Sequence, residues 1–302
     1  MRGLARRGIA LLLCVLMGLL PLLAAAEEEA LTQEQQLKSK ETWTHSVQVL
    51  GRDYLLYAQN SPEWARMQTM VDDDLYFGDA ACMVTSLANV LVNCVPYPDL
   101  PRILEVTKGP IRVDTRSCVA GRPGVRQEER FEITQEADFL RYLPLVFDNY
   151  ASGNNIHHIT NPHLMGFFPK LLQLYDVVWE QKITMEDAIT ALEADMGAMV
   201  IVSSGGQGSI MTTNGHFFCA VGCRDGYMYF LDSYVRDKYP LDHNHIIEIL
   251  EPGVIRVQYS NLRKLPIMYK YLVYPDEFAY PYTQDRIDEI FWLSDHPRVY
   301  DD

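Results

Sequence analysis

Positively charged residues are scarce in this sequence. Lysine and arginine together number 26, against 40 aspartates and glutamates, which gives a formal net charge of −14. Three of the arginines lie in residues 1–26, where there is no acid, so removal of that segment would take the charge from −14 to −17. Because a surface of this sign repels polyanions, the composition excludes nucleic acid as a main partner.

Long apolar runs are absent as well. The longest, Ile9 to Leu23, has 15 residues, fewer than the roughly 20 that a helix needs to cross a bilayer. It follows three arginines and is followed by three alanines, which is the arrangement of a secretory signal peptide and its cleavage site. We therefore predict a signal peptide at residues 1–26, a secreted, extracellular protein, and no stable membrane anchor after cleavage.

Cysteines are few, and their spacing does not suit a metal ion. Five follow the signal segment: Cys82, Cys94, Cys118, Cys219 and Cys223. An odd number leaves at least one thiol unpaired or joined to another chain. The nearest pair, Cys219 and Cys223, lies on a predicted strand, where four residues span about 13 Å, too far for both to bind one zinc ion. We expect no metal and no cofactor.

Beyond the signal segment, a polar start precedes a globular remainder. Residues 27–45 lack apolar periodicity, which predicts a flexible linker, and residues 46–302 are enough for a single domain with a proper core. The first half has helical patterns, including a helix that begins at Cys82 and a helical elaboration at about 95–180. Strand patterns follow, at 198–203, 216–222, 227–233, 254–259 and 267–274. This order indicates an α+β fold, with a helical half packed on an antiparallel sheet.

Two residues occupy positions that thiol catalysis requires. Cys82 lies in the first turn of its helix, where free N–H groups and the positive end of the helix dipole stabilise a thiolate, although most helix cysteines are small buried hydrophobes. His216 begins an apolar strand after a glycine-rich loop, where an imidazole can face a cleft. It follows Cys82 by 134 residues, inside the roughly 130 to 150 of papain relatives. The pair predicts a nucleophile and its base.

Three segments resemble, in their order, those of a known family. They are residues 57–64 (YAQNSPEW), 81–91 (ACMVTSLANVL) and 215–233, which begins Gly-His and ends Leu-Asp-Ser. They are similar to segments of the bacteriocin-processing, double-glycine-leader peptidase superfamily. Ala81 and Met83 replace the family's glycines around the nucleophile, and Ser233 replaces its proline. The resemblance implies a papain-like cysteine peptidase fold, in a free-standing secreted bacterial member.

The resemblance also implies roles for four residues. Cys82 would attack a carbonyl, His216 would take and return the proton, and Asp232 would orient the imidazole. The Gln59 amide would help to stabilise the oxyanion, although a surface glutamine in a polar turn explains Gln59 equally well. The implied activity is hydrolysis of peptide bonds in a peptide or protein substrate, through an acyl-enzyme.

Two alternatives stay open. Cell-wall peptide hydrolases and acyltransferases of papain-like fold use the same order of cysteine and histidine, so a cell-wall peptide is a second candidate substrate. A catalytically inactive peptide-binding module is the other alternative. Met83 beside the nucleophile favours the inactive module, because its side chain could narrow the site.

The register of the hairpin at 216–233 decides whether Asp232 can reach His216. A two-residue turn at 225–226 would place these two residues on opposite faces of the sheet. A three-residue loop, or a compensating bulge, shifts the register by one and sets Phe218 opposite Asp232, on the face of His216. The implied triad requires one of these two devices.

Overall fold

A computed structural model describes residues 44–65, 76–107, 111–118, 126–133, 136–153, 162–194, 197–262, 265–276 and 282–295. All of them belong to one compact unit, Thr42–Asp302. The signal peptide predicted at 1–26 lies outside the described residues, as does the linker up to residue 43. His45, which we placed in the linker, instead begins the first strand.

The described chain contains eleven strands and eight α-helices. The strands are β1 (His45–Val49), β2 (Arg52–Leu56), β3 (Ile111–Cys118), β4 (Arg126–Ile133), β5 (Trp179–Gln181), β6 (Met199–Ser204), β7 (His216–Arg224), β8 (Tyr227–Leu231), β9 (Glu248–Glu251), β10 (Val254–Gln258) and β11 (Ile267–Val273). The helices are α1 (Phe77–Ala80), α2 (Cys82–Cys94), α3 (Leu104–Thr107), α4 (Glu136–Gly153), α5 (Pro162–Leu174), α6 (Met185–Ala194), α7 (Tyr259–Leu262) and α8 (Gln284–Asp295), with a 3₁₀ helix at Tyr97–Ile103. None of the described helices is long and apolar enough to span a membrane.

Seven of the described strands form one antiparallel sheet, in the order β5-β11-β6-β7-β8-β10-β9. Successive residues of β6 are buried on alternate sides: Met199 and Ile201 in one apolar cluster, Val200 and Val202 in another. A strand that is apolar at every position is typical of a sheet covered on both faces. Helices α2, α4 and α5 contribute to the first cluster and α6 to the second. The predicted α+β class is therefore confirmed.

Helix α2 is buried along almost its whole length, and two asparagines fix it against the segment before it. Asn93 accepts a hydrogen bond from the Leu55 N–H and donates one to the Leu55 carbonyl, both at 2.8 Å. Asn89 accepts a bond from the Tyr57 N–H at 2.6 Å. These amides satisfy buried backbone groups that have no strand partner on that side. The second half of α2 is thereby held against the segment that leads to Gln59.

The region at about 95–180 is only partly the helical elaboration that we predicted. It contains α4 and α5, but also β3 and β4, which pair antiparallel with Ile111 opposite Ile133. The prediction of a helical elaboration is wrong for this hairpin. Residues 126–130 (RQEER) of β4 are polar or charged at every position, so the alternation that identifies a half-buried strand is missing there. In β3, Ile111 and Val113 do alternate with charged residues, a strand signal that we did not use.

The hairpin of β7 and β8 combines a two-residue turn with a bulge. Asp225 and Gly226 have φ of 53° and 81°, both in the left-handed region that a type I′ turn requires. The register then shifts by one residue around Val221, so that Cys219 pairs with Leu231. This shift is the compensating bulge that would bring Asp232 to the face of His216.

Candidate active site

Cys82 is the first residue of α2 and lies at the surface of a cavity. The residue before it, Ala81, provides no side-chain cap, so no capping side chain takes up the N–H groups of the first turn. The thiol is half-buried. The predicted position, a cysteine at the positive end of a buried helix, is confirmed.

His216 is the first residue of β7 and lies between the other two residues of the implied triad. Its Nε2 is 2.5 Å from Asp232 Oδ1, and it lines the same cavity as Cys82, whose side chain contributes to the raised pKa of the imidazole. Because Nε2 is bonded to Asp232, Nδ1 is the ring nitrogen that can form a hydrogen bond with the thiol. The ring is 5 % exposed and stacks on Phe218, with the ring centroids 5.8 Å apart.

Asp232 follows β8 and is completely buried. Its Oδ1 accepts a hydrogen bond from the Tyr234 N–H at 2.9 Å as well as facing His216. Its Oδ2 accepts one from the Tyr239 hydroxyl at 2.5 Å and is 3.4 Å from Arg236 Nε. Both carboxylate oxygens are therefore occupied, which fixes the plane of the carboxylate that faces the imidazole.

The pKa values of His216 and Asp232 shift in opposite directions. Burial would lower the pKa of His216, but the charge and hydrogen bond of Asp232, together with Cys82, raise it to about 9. Burial would raise the pKa of Asp232, but His216, Arg236 and Tyr239 together bring it below its ordinary value. These are the directions of an ion pair between an imidazolium and a carboxylate.

Gln59 is buried, at 2 % exposure, so it is not the surface glutamine that was its alternative explanation. Its N–H donates to the Ser233 carbonyl at 2.7 Å, and its side-chain Nε2 donates to the Gly78 carbonyl at 2.8 Å. The structure thus places Gln59 beside the residue that follows Asp232. It is not one of the described residues that line the cavity.

Met83 does not narrow the site. Its side chain is 2 % exposed and belongs to the larger apolar cluster. It is absent from the described lining of the cavity, because the second residue of α2 faces the core while the first faces the cleft. The observation that favoured an inactive binding module is therefore removed.

The cavity beside the thiol has a volume of about 540 Å³. It is lined by Cys82 and by residues 203–205, 214–217 and 266–268. These segments are the end of β6, the approach to β7 and the start of β11, three neighbouring strands of the sheet. A substrate in the cavity would therefore contact both the thiol and the ends of these strands.

Two glycines close the base of the loop between β6 and β7. A Cβ atom on Gly205 would lie 2.3 Å from the Gly215 Cα, and Gly215 itself has φ of 91°. Within the loop, the hydroxyls of Ser204 and Ser209 are 3.0 Å apart. The two ends of the loop therefore approach closely just before His216. This close approach requires glycine at both positions.

Three other described thiols, those of Cys94, Cys219 and Cys223, are buried, unlike that of Cys82. Cys219 and Cys223 are free and buried in the sheet. Burial raises the pKa of both thiols, that of Cys223 to about 12, so both are poor nucleophiles. Among the described residues, no group of three or more His, Cys, Asp or Glu side chains could hold a metal ion.

Sequence reasoning missed Tyr239 and Arg236, which hold the carboxylate of Asp232. They follow it by seven and four residues, in a segment without helix or strand. A segment of this kind has no periodicity from which a shared face could be inferred. The only signal was an arginine and a tyrosine close after the acidic residue.

Comparisons of this chain with models of known protein families, with curated proteins and with solved structures found no match. The family resemblance rests on the three sequence segments alone.

Proposed function

We propose that this protein is a secreted, papain-like cysteine peptidase that resembles the double-glycine-leader peptidases. One observation carries the proposal: the imidazole of His216 is 2.5 Å from the carboxylate of Asp232 and lines the same cavity as the thiol of Cys82. The thiol also opens on a cavity of about 540 Å³. A nucleophile, a base and an orienting group in this order are the parts of an acyl-transfer site.

The reaction would proceed in two stages. The Cys82 thiolate attacks the carbonyl carbon of a peptide bond, and the His216 imidazolium gives its proton to the departing amine, which leaves an acyl-thioester. Water then attacks the thioester, His216 takes its proton, and the acid is released with regeneration of the Cys82 thiolate and the His216 imidazolium. Asp232 keeps Nδ1 directed at the sulfur throughout.

The negative oxygen of each tetrahedral intermediate needs hydrogen-bond donors. The N–H of Cys82, at the start of α2, is the first donor in this proposal, since backbone N–H groups at a helix N-terminus favour negative charge. Gln59 is the second donor that the resemblance implies, but its side chain does not line the cavity, so it would have to move to reach the oxyanion. Its Nε2 has two hydrogens, and the bond to Gly78 uses one of them.

Alkylation of the native protein by iodoacetamide, followed by peptide mapping, tests whether the site activates its thiol. We expect labelling at Cys82, its loss in Cys82→Ala, and slower labelling in His216→Ala. The buried Cys94, Cys219 and Cys223 are internal controls. The side chain of Cys118 lies outside the described residues, so a Cys118→Ser variant removes its contribution.

Uniform labelling of the cysteines in the native protein would contradict the proposal. So would a labelling rate of Cys82 that is the same with and without His216. Circular dichroism of each variant shows whether a lost rate reflects a lost fold.

A further inference from the structure

Arg236 lies against the carboxylate of Asp232, at the oxygen opposite to the one that faces His216. Its Nε is 3.4 Å from Asp232 Oδ2, whereas His216 Nε2 is 2.5 Å from Oδ1. We propose that Arg236 is a positioning residue of the active site, whose charge balances Asp232 when His216 has given up its proton. This inference rests on the proposed function and concerns how its base is able to release a proton.

Two aromatic rings hold the guanidinium of Arg236 beside this carboxylate. Its Cζ is 4.6 Å from the centre of the Tyr234 ring and 4.9 Å from the centre of the Tyr239 ring. Its Nε also donates a hydrogen bond to the Tyr234 carbonyl at 3.2 Å. A planar guanidinium can stack on rings and face a carboxylate at the same time, which an ammonium group does less well. The positive charge is therefore kept at Oδ2, and the side chain is only 17 % exposed.

The backbone that carries Arg236 is fixed by bonds in which its side chain takes no part. The Val235 N–H donates to Asn60 Oδ1 at 3.0 Å, and Asn60 Nδ2 donates to the Val235 carbonyl at 2.8 Å. The Asp232 N–H donates to the Gly253 carbonyl at 2.7 Å. Replacement of the Arg236 side chain should therefore change the charge at Asp232 and leave the path of this segment in place.

The proposed reaction changes the charge beside Asp232, which is why a second counter-ion matters. At rest the Cys82 thiolate and Asp232 are negative, while His216 and Arg236 are positive. When His216 gives its proton to the departing amine, the completely buried Asp232 loses the positive charge at Oδ1. A buried carboxylate without a counter-ion is costly. Because Arg236 remains at Oδ2, that cost is lower and His216 can release the proton.

The sign of one change separates this charge effect from a merely structural role. Burial lowers the pKa of His216, whereas Asp232 and then Cys82, on α2, raise it. Behind Asp232 lie Arg236 and Tyr239, which lower the pKa of that carboxyl against the effect of burial. A positive charge disfavours a neighbouring imidazolium, so removal of Arg236 should raise the proton affinity of His216. Loss of the orientation of Asp232 would instead lower it.

Titration of the His216 imidazole by nuclear magnetic resonance measures this change without any turnover. The signal of His216 is assigned by its absence from His216→Ala. We expect Arg236→Gln to raise the proton affinity of His216 about three- to tenfold, the effect of one charge across a carboxylate in a partly buried site. Arg236→Lys keeps the charge and should titrate closer to the wild type, whereas Asp232→Asn should shift the titration the other way.

Arg256→Gln is the matched control. Arg256 also lies over a ring, that of Tyr227, and pairs with a carboxylate, that of Glu248 at 2.7 Å. Tyr227 precedes Asp232 by five residues along β8, which is about 16 Å of extended chain, so the titration of His216 should not change. If circular dichroism shows that Arg236→Gln is unfolded, Arg236→Met removes the same charge and keeps a long stem between the two rings.

Peptide cleavage by the same proteins keeps the two proposals apart. An unchanged or lowered proton affinity of His216 in a folded, uncharged variant of Arg236 would overturn the inference, and cleavage by the wild type would still support the peptidase. A raised proton affinity in a protein that cleaves no peptide would support the role of Arg236 and overturn the peptidase. Where peptides are cleaved, kcat should fall in Arg236→Gln with little change in KM, because Arg236 touches Asp232 and is not among the residues that line the cavity.

Discussion

Tyr239 donates its hydroxyl hydrogen to Oδ2 of Asp232 at 2.5 Å, while Oδ1 of the same carboxylate faces His216. The imidazole that would serve Cys82 is thus oriented by a carboxylate that is itself held in place. Tyr239 is 8 % exposed, so little water is present to replace its bond. A positioning role for Tyr239 follows, since it touches Asp232 and not the thiol.

Tyr239→Phe should destabilise the fold and slow catalysis without changing the nucleophile. Loss of a buried hydrogen bond to a charged group costs about 1.5 to 3 kcal/mol, which urea unfolding measures. kcat/KM should fall because the carboxylate gains freedom to rotate. Tyr227→Phe is the control, because its hydroxyl accepts only an exposed bond from Gln258. Equal stability and activity in the two variants would contradict a role for Tyr239.

The pKa of His216, raised to about 9, predicts the alkaline limit of activity. Protonation of the departing amine needs the imidazolium, so kcat/KM should fall as the pH rises through about 9. Asp232→Asn removes the charge that raises this pKa and should move the limit to lower pH. A pH profile measured for both proteins tests this. A limit that does not move would show that Asp232 does not govern the imidazole.

The pH dependence of folding stability should be governed by His216 and Asp232. The raised pKa of His216 contributes stability that is fully present below its ordinary value of 6.5 and is lost as the pH rises through about 9. The pKa of Asp232 is lowered from 3.8, so its contribution is present above that pH and is lost as the pH falls through the folded-state value. The unfolding free energy, measured against pH, should therefore decline on both sides, and Asp232→Asn should flatten both declines.

Gly205→Ala should disrupt the loop that leads to His216. The new methyl group would lie 2.3 Å from the Gly215 Cα, and overpacking of this kind costs about 1 to 3 kcal/mol. Gly206→Ala is the control: its φ is 85°, but no atom lies within 4 Å of the added Cβ. We expect Gly205→Ala to lose more activity than Gly206→Ala, as measured by initial rates at equal concentrations of folded protein. A larger loss of activity in Gly206→Ala than in Gly205→Ala would contradict the close approach of Gly205 to Gly215.

Activity should require a reductant. The thiol of Cys82 is half-buried and opens on a cavity, and an accessible thiolate is readily oxidised to a sulfenic acid or a disulfide. Mild peroxide should abolish turnover, and dithiothreitol should restore it. Full turnover after oxidation, indifferent to thiols, would count against a cysteine nucleophile.

Much of the sheet and of the site could be predicted because the signals are local. Helix α2 has apolar residues at helical spacing, and β6 to β8 are apolar runs. The bulge at Val221 was stated only as a requirement for Asp232 to reach the face of His216, and its position was not predicted. Gly222, a glycine inside the strand pattern at the point of the shift, is a signal of a bulge that we did not use.

The parts that could not be predicted depend on contacts between distant or irregular segments. The burial of Gln59 depends on Gly78 and Ser233, which lie 19 and 174 residues away. Met83 was assigned to the cleft because it is next to Cys82 in the sequence. The direction of its side chain depends instead on how α2 packs. The hairpin of β3 and β4 has a charged sequence, and strand propensity depends strongly on context.

Cleavage of a peptide mixture by the mature chain under reducing conditions tests the central claim most directly. New amino termini, counted by mass spectrometry, should appear with the wild-type protein. They should fall about a thousandfold or more in Cys82→Ala, and by a similar factor in His216→Ala, because a nucleophile and its base act as one unit. Cleavage by Cys82→Ala at the wild-type rate, or none by the reduced wild-type protein, would contradict the assignment of a cysteine peptidase.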